Sequence, residues 1–477
     1  MAADTLKKKL QKQNPLMMSP MAFALAACGG GGGEEELTPA LSGVRTLSPT
    51  GDELIDMMTT GSYYRSSPTS PVFYGLADGH FGEQWENPDE VAAVLQEVMQ
   101  DYNNYADVNL VYAGHFDSPN AATEAGVGVI MSLDKFVFES EGSDQVWHVF
   151  SPSATDDQGA GIDQIAGDLY INYNASVLNS TSQSIFESLL TDTDFGYAVI
   201  MHGMLATVGV KSTYWDWGAD HPNVENTSFA DEAENYVYSA SNISYNSIIG
   251  DFGETLGIWY ILVLNYLYGP NETTNAGDDV HDLSSIDEYT VIYDSGGEDI
   301  VDFGKISSDI VCILPSAEIT EESLTELVNI AVGGGTVGAD TPQEFEYFLI
   351  GDIENIKAGN GNDQILGNKL DNTIYGGNGD DLISLSSGKD IVYGGSGADI
   401  FATALGINND DGFHDFIGFA NDTIIKDFEI GIDSLVFAEV GSVVEYSRNE
   451  DGYATYTNDI GVYVVLEGIE ANVLLIA

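Results

Sequence analysis

Between residues 358 and 402 the chain repeats itself every nine residues, as AGNGNDQIL, GNKLDNTIY, GGNGDDLIS, LSSGKDIVY and GGSGADIFA. No insertion breaks the register, and this leaves very few folds open to the stretch. The sixth place holds Asp363, Asn372, Asp381, Asp390 and Asp399, always a carboxylate or an amide. The eighth holds Ile365, Ile374, Ile383, Val392 and Phe401, always apolar. Gly359 and Gly361, Gly377 and Gly379, and Gly395 and Gly397 take the second and fourth places of three blocks. Glycine passes through φ > 0 at no steric cost and lets two backbones touch. Aspartate supplies hard oxygens, which Ca²⁺ takes together with turn carbonyls. The apolar residue points inward from a short strand and stacks on its counterparts. The pattern predicts a parallel β-roll holding several calcium ions, with two blocks per coil and ligands paired eighteen residues apart. A flexible Gly/Asp linker would share the composition but would not keep both phases over five blocks.

Charge decides which partners to discard. Acidic residues number 76 and basic ones 14, a formal net charge of −62. Nucleic acids and anionic membranes attract positive patches, so neither is an expected partner of this chain. Metal cations are favoured instead. Hydrophobic residues make up 43% and aromatic ones 10%, enough for packed cores, so the charge here does not mean disorder.

The chain opens with Lys7, Lys8, Lys9 and Lys12 before an apolar run over 15–27 that is too short to cross a bilayer. Leu25-Ala26-Ala27-Cys28 resembles a bacterial lipobox, which makes Cys28 a lipidation site and its lipid the expected route to a membrane. A Gly and Glu tether follows. Residues 1–33 are therefore expected as an export segment, and the chain is placed outside the cell or on a bacterial surface. Cys312, in the strand-like VCIL, is then the remaining cysteine; it has no partner for an intrachain disulfide and reads as a buried structural thiol.

Residues 34–79 read as a linker and 80–270 as an α+β domain. Asn87 is placed to cap a helix with Pro88 at its first position, followed by apolar residues at helical spacing from Val91 to Tyr102. Strand-like runs follow at Val108–Tyr112, Val127–Met131, Phe136–Phe138, Val146–Phe150 and Leu169–Tyr173. The apolar segments Tyr197–Val210 and Leu256–Tyr268 read as buried helices, the second stopped by Gly269-Pro270. Residues 271–357 read as strands leading into the roll. Residues 403–477 read as a β cap, which closes the open end of a parallel stack, and a secretion-like tail.

Several of these stretches resemble the serralysins, secreted bacterial metzincin proteases with a C-terminal RTX (hemolysin-type) calcium β-roll. They are YDSGGEDIVDF (293–303), IENIKAGNGND (353–363), GGSGADIF followed by DTIIKDFEIGIDSL, and, upstream, LNYLYGPNETTNAGDDV (264–280) and GDLYIN (167–172). The resemblance runs roughly from 80 to 440. It implies a multidomain chain: an α+β metzincin-like domain, then an all-β parallel β-roll with a C-terminal β cap. It also implies a calcium site outside the repeats, built from carbonyls near Asn275, Gly277 and Asp279 with Asp294, Gly296 and Asp299.

The family's protease chemistry uses HExxHxxGxxH, three histidines for Zn²⁺ and a glutamate as general base. The corresponding stretch here runs from His202 to Ser212 and keeps only His202 and Gly209. Gly203 stands at the place of the base; Ala206 and Ser212 stand at the other ligand places. The Met-turn also departs, with Asn246 and Ile248 in Ser244-Tyr245-Asn246-Ser247-Ile248. No catalytic residue is assigned and zinc is not expected; His202 reads as a remnant packed in a core. The expected function is a calcium-binding scaffold, a pseudopeptidase that binds or assembles with an extracellular protein or surface partner of unknown identity. Two other readings stand beside it: an active zinc metalloendopeptidase, and a structural surface-layer or adhesive protein.

Overall fold

The computed structural model describes residues 44–47, 58–64, 70–80, 82–85, 87–134, 147–149, 167–172, 200–201, 203–210, 256–286, 290–316, 332–338, 345–403, 422–437, 443–458 and 461–473. Cys28, His202, Ser212, Asn246, Ile248 and the strand-like run Phe136–Phe138 lie outside the described residues.

The first half is built on a five-stranded sheet in the order Leu110–Phe116, Val72–Ala77, Val129–Asp134, Leu169–Asn172, Trp147–Val149. The first four run parallel and the last is an antiparallel edge. Helix α1, Pro88–Tyr105, crosses from the second strand to the first. Pro88 sits at its first position, but the Asn87 side chain makes no cap hydrogen bond, contrary to expectation. The Asn87 backbone, at φ −130° and ψ 70°, lies outside the extended region from which a cap side chain reaches back over the first turn. Val91, Leu95, Val98, Met99 and Tyr102 line its buried stripe. On the same face, residues 203–207 are helical and bring Met204 and Leu205 into the core, with Val208 just beyond them. Helix α2, Pro119–Glu124, capped by Ser118 Oγ accepting from Ala121 N at 3.2 Å, covers the other face around Ala77, Ala122 and Ile130. Helix α3, Ile258–Tyr268, buries Tyr260, Ile261, Leu262, Val263 and Leu264 alike, as a helix apolar all round must. It stops at Gly269, whose φ of +87° suits no other residue as well.

The stretch 34–79, expected as a linker, instead contributes to this unit. Val44–Thr46 and Ser62–Tyr64 pair antiparallel, and Val72–Ala77 is the second strand of the sheet. Flanked by parallel strands and covered on both faces, VFYGLA shows an unbroken apolar run and not the alternation that marks a half-exposed strand.

The second half is a stack of short strands in two sheets. Asn355–Lys357, Thr373–Asn378, Ile391–Ser396 and Thr423–Ile425 run parallel in one; Gln364–Leu366, Leu382–Ser384, Ile400–Ala402 and Ser434–Val436 run parallel in the other. The register pairs Ile356 with Ile374 and Ile374 with Val392 on one side, and Ile365 with Ile383 and Ile383 with Phe401 on the other. Each coil within the repeats is therefore eighteen residues. Ile365, Ile374, Ile383, Val392 and Phe401 are all fully buried between the sheets; each such side chain contributes about 1.5–3 kcal/mol relative to an exposed one. Cys312, in the strand Ile310–Ser316, stacks on Ile365 and is fully buried, which pushes its thiol up to about 12. Tyr463–Leu466 extends the first sheet parallel to Thr423–Ile425, and Ala454–Thr457 and Glu445–Arg448 then close it in antiparallel fashion.

The halves share a core. Val291, Tyr293 and Ile350 belong to the apolar cluster of the first half. Tyr105 and Tyr293 meet edge to face at 5.9 Å. Asn271 Nδ2 donates to Asn103 O at 2.5 Å and Thr274 Oγ1 to Asn104 O at 2.7 Å, which ties the connecting segment to the end of α1.

Candidate calcium centres

The turns of the roll stack along two edges with different chemistry. On the first edge lie the turns 358–363, 376–381 and 394–399. Asp363 N donates to Asp381 Oδ1 at 2.8 Å, and Asp381 N to Asp399 Oδ1 at 3.0 Å. Each carboxylate thus fixes the turn one coil before it. The column outlasts the repeats: Asp399 N donates to Asp433 Oδ1 at 3.1 Å, and at the other end Ile310 N donates to Asp363 Oδ1 at 2.9 Å. Asp427 accepts from Gly394 N and Gly395 N at 2.9 and 3.0 Å. Asp427 and Asp433 were not among the sequence candidates, since they follow the repeats at a broken interval. The available signal was the GID that closes DTIIKDFEIGID.

Glycine is required where successive coils touch. Gly379 and Gly397 adopt φ of +123° and +149°. A Cβ on Gly361 would lie 2.5 Å from Ser308 O, and one on Gly379 would lie 1.8 Å from Gly361 O. Gly377 and Gly395 stack in the same way, the former against Gly359 O.

Within this edge, Oδ2 of Asp381 and Oδ2 of Asp399 are buried with no hydrogen-bond partner. Burial, then the neighbouring carboxylates, push Asp381 up to about 7. Burial also raises Asp399, and lifts Asp363 to about 6. Buried anionic oxygens without donors are costly, and native folds satisfy them with hydrogen bonds or a cation. An all-oxygen, multiply anionic set stacked against turn carbonyls fits a hard divalent cation such as calcium.

The second edge closes on itself. Asn372 N donates to Asp390 Oδ1 at 3.1 Å. The Asn372 amide accepts from Asn368 N and Ser386 Oγ, each at 3.0 Å, and donates to Glu354 O and Asn368 Oδ1. Asp390 Oδ2 takes Ser386 Oγ at 3.3 Å and Thr423 Oγ1 at 3.4 Å, while burial pushes Asp390 up to about 7. Every polar atom of Asn372 is thereby held by protein.

A separate cluster lies upstream of the repeats. Asp279, Asp294 and Asp299 bring ligand oxygens within 4.8 Å of one another. Asp299 Oδ1 accepts from Asp279 N at 2.7 Å, while its Oδ2 is buried without a partner. Burial, with Asp294 and Glu354 nearby, pushes Asp299 up to about 7. Asp294 is held by Gly296 N and His281 Nε2, each at 2.8 Å. Asn275, at φ +49°, donates to Tyr293 O at 2.8 Å, and the carbonyl of Gly277 lies against Gly297. The six residues expected at this place are together. Glu354, whose Oε2 accepts from Asp299 N at 2.8 Å, and His281 join them. Neither stands at a repeat position, and only the stacking of distant turns brings them in.

In the first half, Gly203 packs on the sheet so that a Cβ there would lie 2.8 Å from Leu169 Cδ2, and Ala206 is buried. Among the described residues no histidine belongs to a group of three metal-ligating side chains. His115 Nε2 pairs with Asp78 Oδ1 at 3.0 Å.

A family described as the RTX calcium-binding nonapeptide repeat matches residues 366–401 in four copies. Serralysin of Proteus mirabilis is 30% identical over 198 residues, 38% of this chain and 37% of that protein. Serralysin G of Dickeya chrysanthemi is 29% identical over 227 residues, 44% of this chain and 42% of that protein. The chain thus spans about two fifths of the length of these relatives. Among solved structures, the AlgE6R3 subunit of the Azotobacter vinelandii mannuronan C5-epimerase is 26% identical, covering 24% of this chain and 65% of that one with a TM-score of 0.14. The chain carries RTX calcium-binding repeats. Among the described residues, no helix is long and apolar enough to cross a membrane.

Proposed function

We propose that this chain is an exported, extracellular or surface-held protein whose fold is completed by calcium. In this reading its first half is a serralysin-like α+β scaffold without protease chemistry. The observation that carries the reading is the set of buried, unpartnered carboxylate oxygens at Asp299, Asp381 and Asp399. Calcium would be held by Asp363, Asp381 and Asp399, with Asp433 extending the column, and by Asp279, Asp294 and Asp299 with Glu354. The cation supplies positive charge to rows of carboxylates that otherwise repel one another. Asn372 and Asp390, on the hydrogen-bonded edge, act as staples. Low calcium inside a cell keeps such a chain open for export; high calcium outside closes it. An anchor at Cys28 would leave it on the cell surface, and Cys28→Ser would then release it from membranes.

The pseudopeptidase reading is supported by Gly203, where a glutamate base would have to displace Leu169, and by buried Ala206 in place of a second histidine. The partial likeness to two serralysins favours the other reading, an active zinc metalloendopeptidase. Metal analysis and casein cleavage on one purified sample separate the two. Calcium without stoichiometric zinc, and no cleavage, is the expected result; one tightly held zinc per chain with chelator-sensitive cleavage would establish the enzyme. A far-UV spectrum unchanged by calcium chelation would remove the calcium reading altogether.

A further inference from the structure

We propose that Asn360-Gly361 and Asn378-Gly379 are modification sites that record calcium loss: the closed roll shields them, and opening of the first edge commits them to deamidation. The inference rests on the calcium reading above. These are the chain's only two Asn-Gly pairs, and both fall in the repeats at the same turn position, eighteen residues apart. Their side chains are exposed and form one ladder, in which Asn378 Nδ2 donates to Asn360 Oδ1 and Ser396 Oγ donates to Asn378 Oδ1. The main-chain nitrogen that deamidation needs is also engaged, with Gly379 N donating to Ser396 O at 2.9 Å.

Deamidation requires the Asn side chain to fold back on the next residue's nitrogen. Glycine permits this best, because it has no Cβ to obstruct the approach. In the closed roll the Asn378 amide and the Gly379 nitrogen are both occupied, the Asn360 amide donates to Ile306 O at 3.1 Å, and the stacked coils hold the backbone in one conformation. Once the edge opens, Gly379 N loses its proton to a solvent base and attacks Asn378 Cγ. The N–Cγ bond forms, the Cγ–Nδ2 bond breaks, and Nδ2 leaves as ammonia. Water then opens the ring at either carbonyl, giving aspartate or isoaspartate. One water enters and one ammonia leaves, with no change of oxidation state.

The isoaspartate product does not fit back. Its main chain runs through Cβ and Cγ and so gains a methylene. The coils have no room for one, since a Cβ on Gly379 or on Gly397 would already lie 1.8 Å from a carbonyl oxygen of the coil before it. An emptied roll that lingers therefore loses its ability to restack, and calcium can no longer rescue it. The third turn of this edge carries Ser396 at the same place, so serine is a residue the fold itself accepts there.

The test incubates the full chain at mildly alkaline pH in calcium and in chelator. Deamidation and isoaspartate are mapped by peptide mass spectrometry, and calcium is then restored while far-UV dichroism is followed. Asn360 and Asn378 should deamidate at least about tenfold faster in chelator, the factor that a modest opening free energy supplies. The recovered signal should fall in step with isoaspartate, and a chain carrying both Asn360→Ser and Asn378→Ser should recover fully. Equal rates in both conditions, intact Asn-Gly pairs in a chain whose spectrum is lost, or full recovery despite isoaspartate would each overturn the inference. A spectrum that chelator leaves unchanged would instead overturn the calcium reading on which it rests.

Discussion

At the scale of single residues, identical aspartates do different work. Asp381 lies between Asp363 and Asp399 in one column, so its loss affects two neighbouring turns. Asp381→Ala should raise the calcium midpoint of folding by roughly tenfold or more, since ligand charge count tunes calcium affinity over orders of magnitude. Asp363→Ala should raise it less, because its other neighbour is the backbone of Ile310. Asn372→Ala should lower stability by about 1–3 kcal/mol through unpaired buried groups, with calcium stoichiometry unchanged. Calcium titrations followed by dichroism order the three; equal midpoints for Asp381→Ala and Asp363→Ala would refute the pairing. Asp168 behaves differently again. It is buried at the foot of a strand, accepts from Tyr170 Oη at 3.1 Å, and is raised well above its ordinary 3.8, chiefly by burial. A carboxyl raised on folding contributes stability below pH 3.8 that is lost as pH rises toward its folded value. With calcium saturating, wild type should therefore lose stability from pH 4 upward relative to Asp168→Asn, and parallel melting curves across that range would rule this out. The sixth-place acids were legible because period and chemistry coincide. Glu354, His281 and Asp433 were not, because their neighbours are chosen by stacking across 55, 13 and 34 residues.

At the scale of elements, the coil is the unit, and its register was the most legible feature of the chain. Any slip by one residue would turn Ile365, Ile383 and Phe401 outward together and bring Gln364, Leu382 and Ile400 inward. Phe401 is the largest of these side chains, fully buried in its stack and 6.0 Å from the ring of Phe428 in the capping turn. Phe401→Ala should cost about 3–5 kcal/mol at saturating calcium, and a loss under about 1 kcal/mol would mean that the cap does not pack as described. The strand Val72–Ala77 is illegible in the sequence for the opposite reason. A parallel strand covered on both faces shows no alternation, so its period carries no signal. Helix α1 was legible in place and extent, with Pro88 and the apolar stripe both as expected, but not in its cap.

At the scale of the whole molecule, the two halves stand or fall together. Val291, Tyr293 and Ile350 are strand residues of the second half packed in the core of the first, and Asp294 follows Tyr293 directly. Disturbing the upstream acidic cluster should therefore be felt in α1. In limiting calcium, Asp299→Asn should raise amide exchange in α1 several-fold, and exchange unaltered in α1 would show the halves to be energetically independent. The unequal edges of the roll carry a last consequence. A bound volume has a sewn spine and a loose fore-edge held by a clasp, and the roll is arranged in the same way. In the proposed reading, Asn368, Asn372, Ser386 and Asp390 are the stitching, held by hydrogen bonds, while the column from Asp363 to Asp433 is the clasp. Withdrawal of calcium would then fan the leaves from one side and keep their order on the other, so that a briefly emptied roll closes on the same page.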